Sequence, residues 1–327
     1  MNEIEQRAEI HRITYAYLRW LLICLPILLF VVTTVTAWQQ GELERSISAY
    51  YGGPVRDIFV GVLIAIAACL VAYQGEGLLE DYALNGAGFY AVFVALVPAG
   101  FAGLMTGLQQ NPTPDGVEPA DHVWFLRIAL TSVLVLCLVL VVREAAKGTV
   151  RELFTADAGT ALANRVNRWF LVLTVLLLAG FLALAMWQLW WGPAGDVRME
   201  GIALGPVELA IHDIAAILFI ASLGVAVLTN TWPFYKFSDL RRSGRFSYLV
   251  IFGLMSIGIA VPLLVARVFA PDHMVILIEW WEIALFAAFW ALETRRLRPN
   301  VEKPPAERGR LREPVRTTFE EQSILAE

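Results

Sequence analysis

One histidine and six charged residues stand inside or at the edges of long apolar stretches, where an ionised group is costly and needs a reason. They are Asp57, Arg127, Glu208, His212, Asp213, Glu279 and Glu282. Glu208 and His212 are four residues apart, so on one helix they share a face. Glu279 and Glu282, in the run Glu279-Trp280-Trp281-Glu282, are three apart and do the same. For helices beginning near 206 and 275, His212 and Glu282 lie roughly 9 and 10 Å inside the helix start. Three uses fit these residue types. Carboxylates with an imidazole can bind a small solute or a lipid headgroup, and can exchange protons near neutral pH. The set His212, Asp57 and Glu282 offers the nitrogen and oxygen donors that zinc takes, and a metal-bound water could attack an ester or amide. The acids can also simply pair with Arg56, Arg127 and Arg267 and hold the structure together.

A second local feature is the segment from Ser46 to Gly61, Ser-Ile-Ser-Ala-Tyr-Tyr-Gly-Gly-Pro-Val-Arg-Asp-Ile-Phe-Val-Gly. Gly52, Gly53 and Pro54 break any helix ahead of the next apolar block. Ser46, Ser48, Tyr50, Tyr51 and Arg56 therefore sit on a turn that could close over a polar site and gate it, although a plain turn between elements needs the same residues. A Ser-His-Asp arrangement of Ser46 or Ser48 with His212 and Asp57 lacks any local motif that marks an activated serine. No phosphate-binding glycine loop, dinucleotide fingerprint or H-E-x-x-H spacing is present.

The elements that must position these residues are apolar blocks of about 20 residues, the length that crosses about 30 Å of hydrocarbon as helix. Of the 327 residues, 58% are hydrophobic and 17% charged, which is far from a soluble domain. The sequence predicts an all-α polytopic transmembrane bundle of about eight helices, at 20–38, 56–74, 88–108, 123–142, 170–191, 206–229, 248–269 and 275–292. The bundle fills residues 1–294, and 295–327 read as a flexible, Arg- and Pro-rich cytoplasmic tail. The third block is the most diluted by Gly, Pro and polar residues. With eight crossings, most of the 25 Lys and Arg residues fall on the side that holds both chain ends. That bias places both termini in the cytoplasm and the chain in a bacterial inner membrane. All seven ionisable residues then lie in one layer at the outer face. Cys24, Cys69 and Cys137 are embedded in apolar blocks and read as small hydrophobes. The first block is longer than a signal-peptide core and reads as a retained helix.

The Ser46–Gly61 segment resembles one shared by a family of bacterial polytopic membrane proteins, in which an S-I-S-x-Y-Y stretch precedes a helix beginning R-D-x-F-V-G. The late pair Glu279 and Glu282, followed by an aromatic-rich helix, is similar too. That resemblance implies a multi-pass fold and brings no reaction with it. A more distant likeness is to seven-helix membrane hydrolases of the alkaline ceramidase and progestin-receptor-like type, which use histidines, aspartate and serine at a zinc site. This chain departs from them in having one embedded histidine and an extra helix. The leading expectation is thus binding, transport or sensing of a small solute or lipid headgroup through an outward-facing pocket, with membrane lipids as partners, no cofactor and no nucleic acid. The alternatives are a zinc-dependent lipid hydrolase and a structural membrane protein.

Overall fold

The computed structural model describes residues 3–52, 55–75, 78–97, 99–110, 119–146, 161–191, 201–204, 207–230 and 242–296. Helices dominate them: α1 (Glu3–Gln40), α2 (Arg56–Ala72), α3 (Leu78–Leu96), α4 (Phe101–Gln110), α5 (Pro119–Ala146), α6 (Ala161–Trp190), α7 (Ile211–Thr229), α8 (Arg242–Ser256), α9 (Ala260–Phe269) and α10 (Met274–Arg296). A 3-10 turn, Ile47–Gly52, joins α1 to α2, and a two-stranded hairpin, β1 (Ile202–Leu204) with β2 (Val207–Leu209), precedes α7. Four of these helices are long and apolar enough to cross a membrane, and five if the bent pair α8–α9 is one span. The chain is therefore all-α with several membrane-suited helices, as its composition requires.

α3 is the centre of the bundle. It packs on α7 along one side and α2 along another, while α1 packs on α10 and α2. The sequence reason is side-chain size. Ala83, Ala87, Ala91 and Ala95 recur every four residues and are all buried, and such a stripe lets helices approach closely. Gly88 makes the nearest approach to α2, since a Cβ there would stand 2.8 Å from Val71 Cγ2 and 2.9 Å from the Ala67 carbonyl. Gly88→Val is expected to lower unfolding stability by about 1–3 kcal/mol through overpacking. Gly61→Val on α2, with nothing within 4 Å of the added carbon, is the matched control. Thermal unfolding of both purified variants checks the difference. α5 and α6 lie at the periphery and leave Leu136, Val139, Leu173 and Leu176 exposed, an apolar surface that suits a membrane-embedded protein.

Two expectations about the elements are corrected. The third helix covers 78–96 rather than 88–108, and α4 follows as a separate short helix. Proline at 98 disfavours helical geometry at Val97, and Gly100 turns the chain with φ +65°. The sixth helix begins at Ile211 rather than at 206, because Val207–Leu209 is strand and Ala210 is extended. Gly201 supplies the tight turn into this hairpin at φ +76°, where a side chain would collide with the Leu209 carbonyl. The α8–α9 pair bends by 41° at 257–259. Pro262 fits the first turn of α9 but could not continue α8. The break frees the Leu254 carbonyl, which accepts the Trp281 indole N–H at 3.1 Å. Neighbouring helices commonly satisfy carbonyls released in this way. Residues 297–327 of the expected tail lie outside the described residues.

Candidate functional site

The turn 45–48 is clamped at three successive points, and each clamp has a local cause. The first turn of a helix leaves N–H groups without partners, and on α10 the Ile276 N–H finds the Arg45 carbonyl at 3.0 Å. One turn further, Glu279 Oε2 accepts the Ile47 N–H at 2.6 Å. Ser48, 4% exposed, places its Oγ 2.8 Å from His212 Nε2. His212, also 4% exposed, has its other ring nitrogen, Nδ1, 2.7 Å from the Val97 carbonyl. That carbonyl is free to accept because α3 stops at Leu96. A carbonyl oxygen only accepts, so Nδ1 carries the hydrogen. In the neutral ring Nε2 then accepts the Ser48 hydroxyl proton. Four separate stretches of chain meet here, around 45–48, Val97, His212 and Glu279.

Each expected residue can now be placed. His212 and Glu279 are brought together through adjacent residues of the turn, and Asp213 is near enough to Glu279 for their charges to interact. Asp213 itself caps α7, its Oδ2 accepting the Ala210 N–H at 3.1 Å. Glu282, one turn beyond Glu279, is 6% exposed, and neither carboxylate oxygen has a hydrogen-bond partner among the described residues. Ser46 caps the 3-10 turn by accepting the Ala49 N–H at 3.1 Å, so of the two serines only Ser48 reaches the histidine. Tyr50 is buried and its hydroxyl accepts the Glu44 N–H at 3.3 Å. The side chain of Tyr51 and that of Glu208 lie outside the described residues.

Three expectations are corrected. Glu208 is paired with Ala203 across the hairpin, so it does not share a helical face with His212, which is only the second residue of α7. Asp57 is exposed on the first turn of α2, where it suits the positive end of the helix, with Arg56 exposed beside it. Both ring nitrogens of His212 are engaged elsewhere, so Asp57 is not the group that orients it. Arg127 has other work: its Nε donates to the Leu189 carbonyl at 2.8 Å, and its guanidinium lies 5.3 Å from the Trp190 ring centre. It therefore ties α5 to the C-terminal end of α6, where a cation is favoured. Among the described residues, no group of three or more His, Cys, Asp or Glu side chains is arranged to hold a metal ion.

A second buried cluster occupies the opposite end of the same helices, and sequence reasoning missed it. Glu293 on α10 is 0% exposed; it accepts the Tyr248 hydroxyl at 2.6 Å and pairs with Arg296 at 2.7 Å. Glu80 on the first turn of α3 is 3% exposed and accepts the Asn230 amide at 3.1 Å. Tyr73 stands between them, within electrostatic range of Glu293, Glu80 and Arg19, with its ring edge against Trp290 at 4.8 Å. Position 80 falls between the expected blocks 56–74 and 88–108, and it enters the core because α3 begins at Leu78. The signal for Glu293 was available: a single acid at the end of Phe286-Ala287-Ala288-Phe289-Trp290-Ala291-Leu292. The chain matches no family model, no curated protein and no solved structure, so the chemistry of both clusters has to be argued from their own geometry.

Proposed function

We propose that the chain is a bacterial inner-membrane protein that binds a small solute or a lipid headgroup from the outer side, for transport or sensing, at a polar pocket closed by residues 45–52. The observation that carries this reading is the clamp itself. Two side chains from different helices, the buried His212 and the half-buried Glu279, hold a short turn, and beside them Glu282 keeps a buried carboxylate with no hydrogen-bond partner among the described residues. A turn added only to connect α1 and α2 needs none of this, and an unpaired buried carboxylate costs stability unless it has a use. Opening the turn at Ile47 frees the Glu279 carboxylate and uncovers the His212–Ser48 pair for a ligand that Glu282 also faces.

In this reading the membrane is crossed eight times, by α1, α2, α3, α5, α6, α7, the bent α8–α9 pair and α10. α2, at 17 residues, spans about 25 Å as helix, close to the hydrocarbon thickness. Both ends then lie in the cytoplasm, on the side where most Lys and Arg residues collect. The likeness of Ser46–Gly61 to the S-I-S-x-Y-Y and R-D-x-F-V-G family belongs to the same proposal.

The test uses Ile47→Cys in a background free of Cys24, Cys69 and Cys137. A membrane-impermeant maleimide added outside whole cells is expected to label residue 47 slowly. Adding Glu279→Ala is expected to speed labelling about tenfold, the consequence of losing roughly 1.4 kcal/mol of tethering. Native mass spectrometry of the wild-type protein in mild detergent is expected to retain a lipid or solute adduct that Glu282→Gln weakens. Labelling of residue 47 only from the cytoplasmic side would reverse the orientation. A wild-type protein with no adduct, whose labelling is indifferent to Glu279→Ala, would remove the pocket.

A further inference from the structure

The clamp on Ser48 has a chemical consequence beyond closure. We infer that Ser48 is a nucleophile activated by His212, and that the pocket cleaves the ester or amide bond of a membrane-borne acyl compound without need of a metal. This rests on the reading that the pocket opens to a lipid headgroup and names what happens to the bound molecule.

Serine is a weak nucleophile until a base stands ready for its proton and a third group orients that base. All three parts are present. The Ser48 hydroxyl donates to His212 Nε2 at 2.8 Å, and His212 Nδ1–H donates to the Val97 carbonyl at 2.7 Å. The Val97 carbonyl fixes the tautomer and the ring plane, which is the positioning task that a carboxylate performs in a Ser-His-Asp triad. Here the helix break after Leu96 supplies an acceptor on one side of the ring and the turn supplies a hydroxyl on the other. Ser48 also sits in a 3-10 turn whose neighbouring amide, Ile47 N–H, is held away by Glu279, so the turn presents the hydroxyl from a fixed backbone.

The step balances with water as the only co-reactant. Ser48 Oγ forms a bond to the substrate carbonyl carbon while its proton moves to His212 Nε2. The carbon–oxygen or carbon–nitrogen bond then breaks, and Nε2 returns the proton to the leaving alkoxide or amine. Water attacks the acyl-Ser48, gives its proton to Nε2, and the departing Ser48 Oγ takes it back. One bond is hydrolysed and one water consumed. A pair held between two membrane-suited helices, α7 and α10, meets bilayer-borne acyl compounds before soluble esters. At 4% exposure Ser48 meets substrate only when the turn lifts from Glu279 at Ile47 with the Ser48–His212 hydrogen bond kept, so reaction is gated by the Glu279 tether.

The full chain in phospholipid nanodiscs is treated with a long-chain alkyl fluorophosphonate, and the modified peptide is mapped by mass spectrometry. The expected adduct is on Ser48. It is absent in Ser48→Ala, faster in Glu279→Ala, and slowed about 100-fold or more in His212→Gln, the scale of a lost general base. Thermal unfolding accompanies each variant, so that loss of fold is not read as loss of reactivity. The proposal is overturned if neither the folded wild type nor folded Glu279→Ala is modified at Ser48, or if His212→Gln reacts at the wild-type rate. Unmodified Ser48 in protein that still carries a native lipid adduct ends the nucleophile and leaves the binding pocket standing.

Discussion

Replacing Glu293 with alanine is expected to be among the most destabilising single changes in this protein, by about 3–5 kcal/mol. The carboxylate is fully buried and satisfies two partners at once, the Tyr248 hydroxyl on α8 and the Arg296 guanidinium one turn away on α10. Removing the carboxylate leaves the buried Tyr248 hydroxyl without its acceptor, takes away the ion pair with Arg296 and opens a cavity in the core, and these costs add. Tyr248→Phe removes only the hydroxyl and is expected to cost about 1–3 kcal/mol, since it leaves one charged acceptor short of a donor. The double variant is expected to cost less than the two added together, because the second change removes the group the first left unsatisfied. Thermal unfolding of the purified full chain, with size-exclusion profiles as a check on folding, measures all three. Additivity of Tyr248→Phe and Glu293→Ala would mean that the 2.6 Å contact contributes nothing.

The physics of these two clusters explains what could be read from the sequence and what could not. Long apolar blocks register as helices because nothing else satisfies the backbone away from water, and α5, α6 and α10 fall where that rule puts them. Boundaries failed where a single residue overrode the pattern. Proline at 98 stops α3 after Leu96, and the helix begins at Leu78, ten residues ahead of the expected start, which carries Glu80 into the core. The run before Ile211 is apolar enough for a helix, but Gly201 with β-branched and alternating neighbours made a hairpin, which broke the Glu208–His212 pairing. His212 and Glu279 were legible because charge in an apolar block is conspicuous. Of their partners, only Ser48 was. The Val97 carbonyl and the Ile47 amide are backbone groups, and no reading of side-chain types can find a backbone group that becomes available only when a helix ends. Asp57 and Arg127 show the converse, since conspicuous charge at a helix terminus can be explained by the terminus itself.

Glu282→Leu is expected to have the opposite sign to Glu293→Ala, although both remove a buried glutamate from α10. Glu282 is 6% exposed and neither of its oxygens has a hydrogen-bond partner among the described residues, whereas both oxygens of Glu293 do. The free energy of a buried carboxylate is set by its partners rather than by its depth. Replacing an unsatisfied one with an apolar side chain of similar volume removes the desolvation cost and keeps the packing, a change worth about 1–4 kcal/mol of added stability. Glu282→Gln keeps a polar group with the same unmet demand and is expected to fall between the wild type and Glu282→Leu. A residue that can be improved so readily is retained for something other than stability, which is the usual pattern at a functional site. The stability gain should therefore coincide with loss of the lipid or solute adduct in native mass spectrometry. If Glu282→Leu instead destabilises the protein on the scale expected for Glu293→Ala, the carboxylate has a structural partner, and it ceases to be a pocket residue.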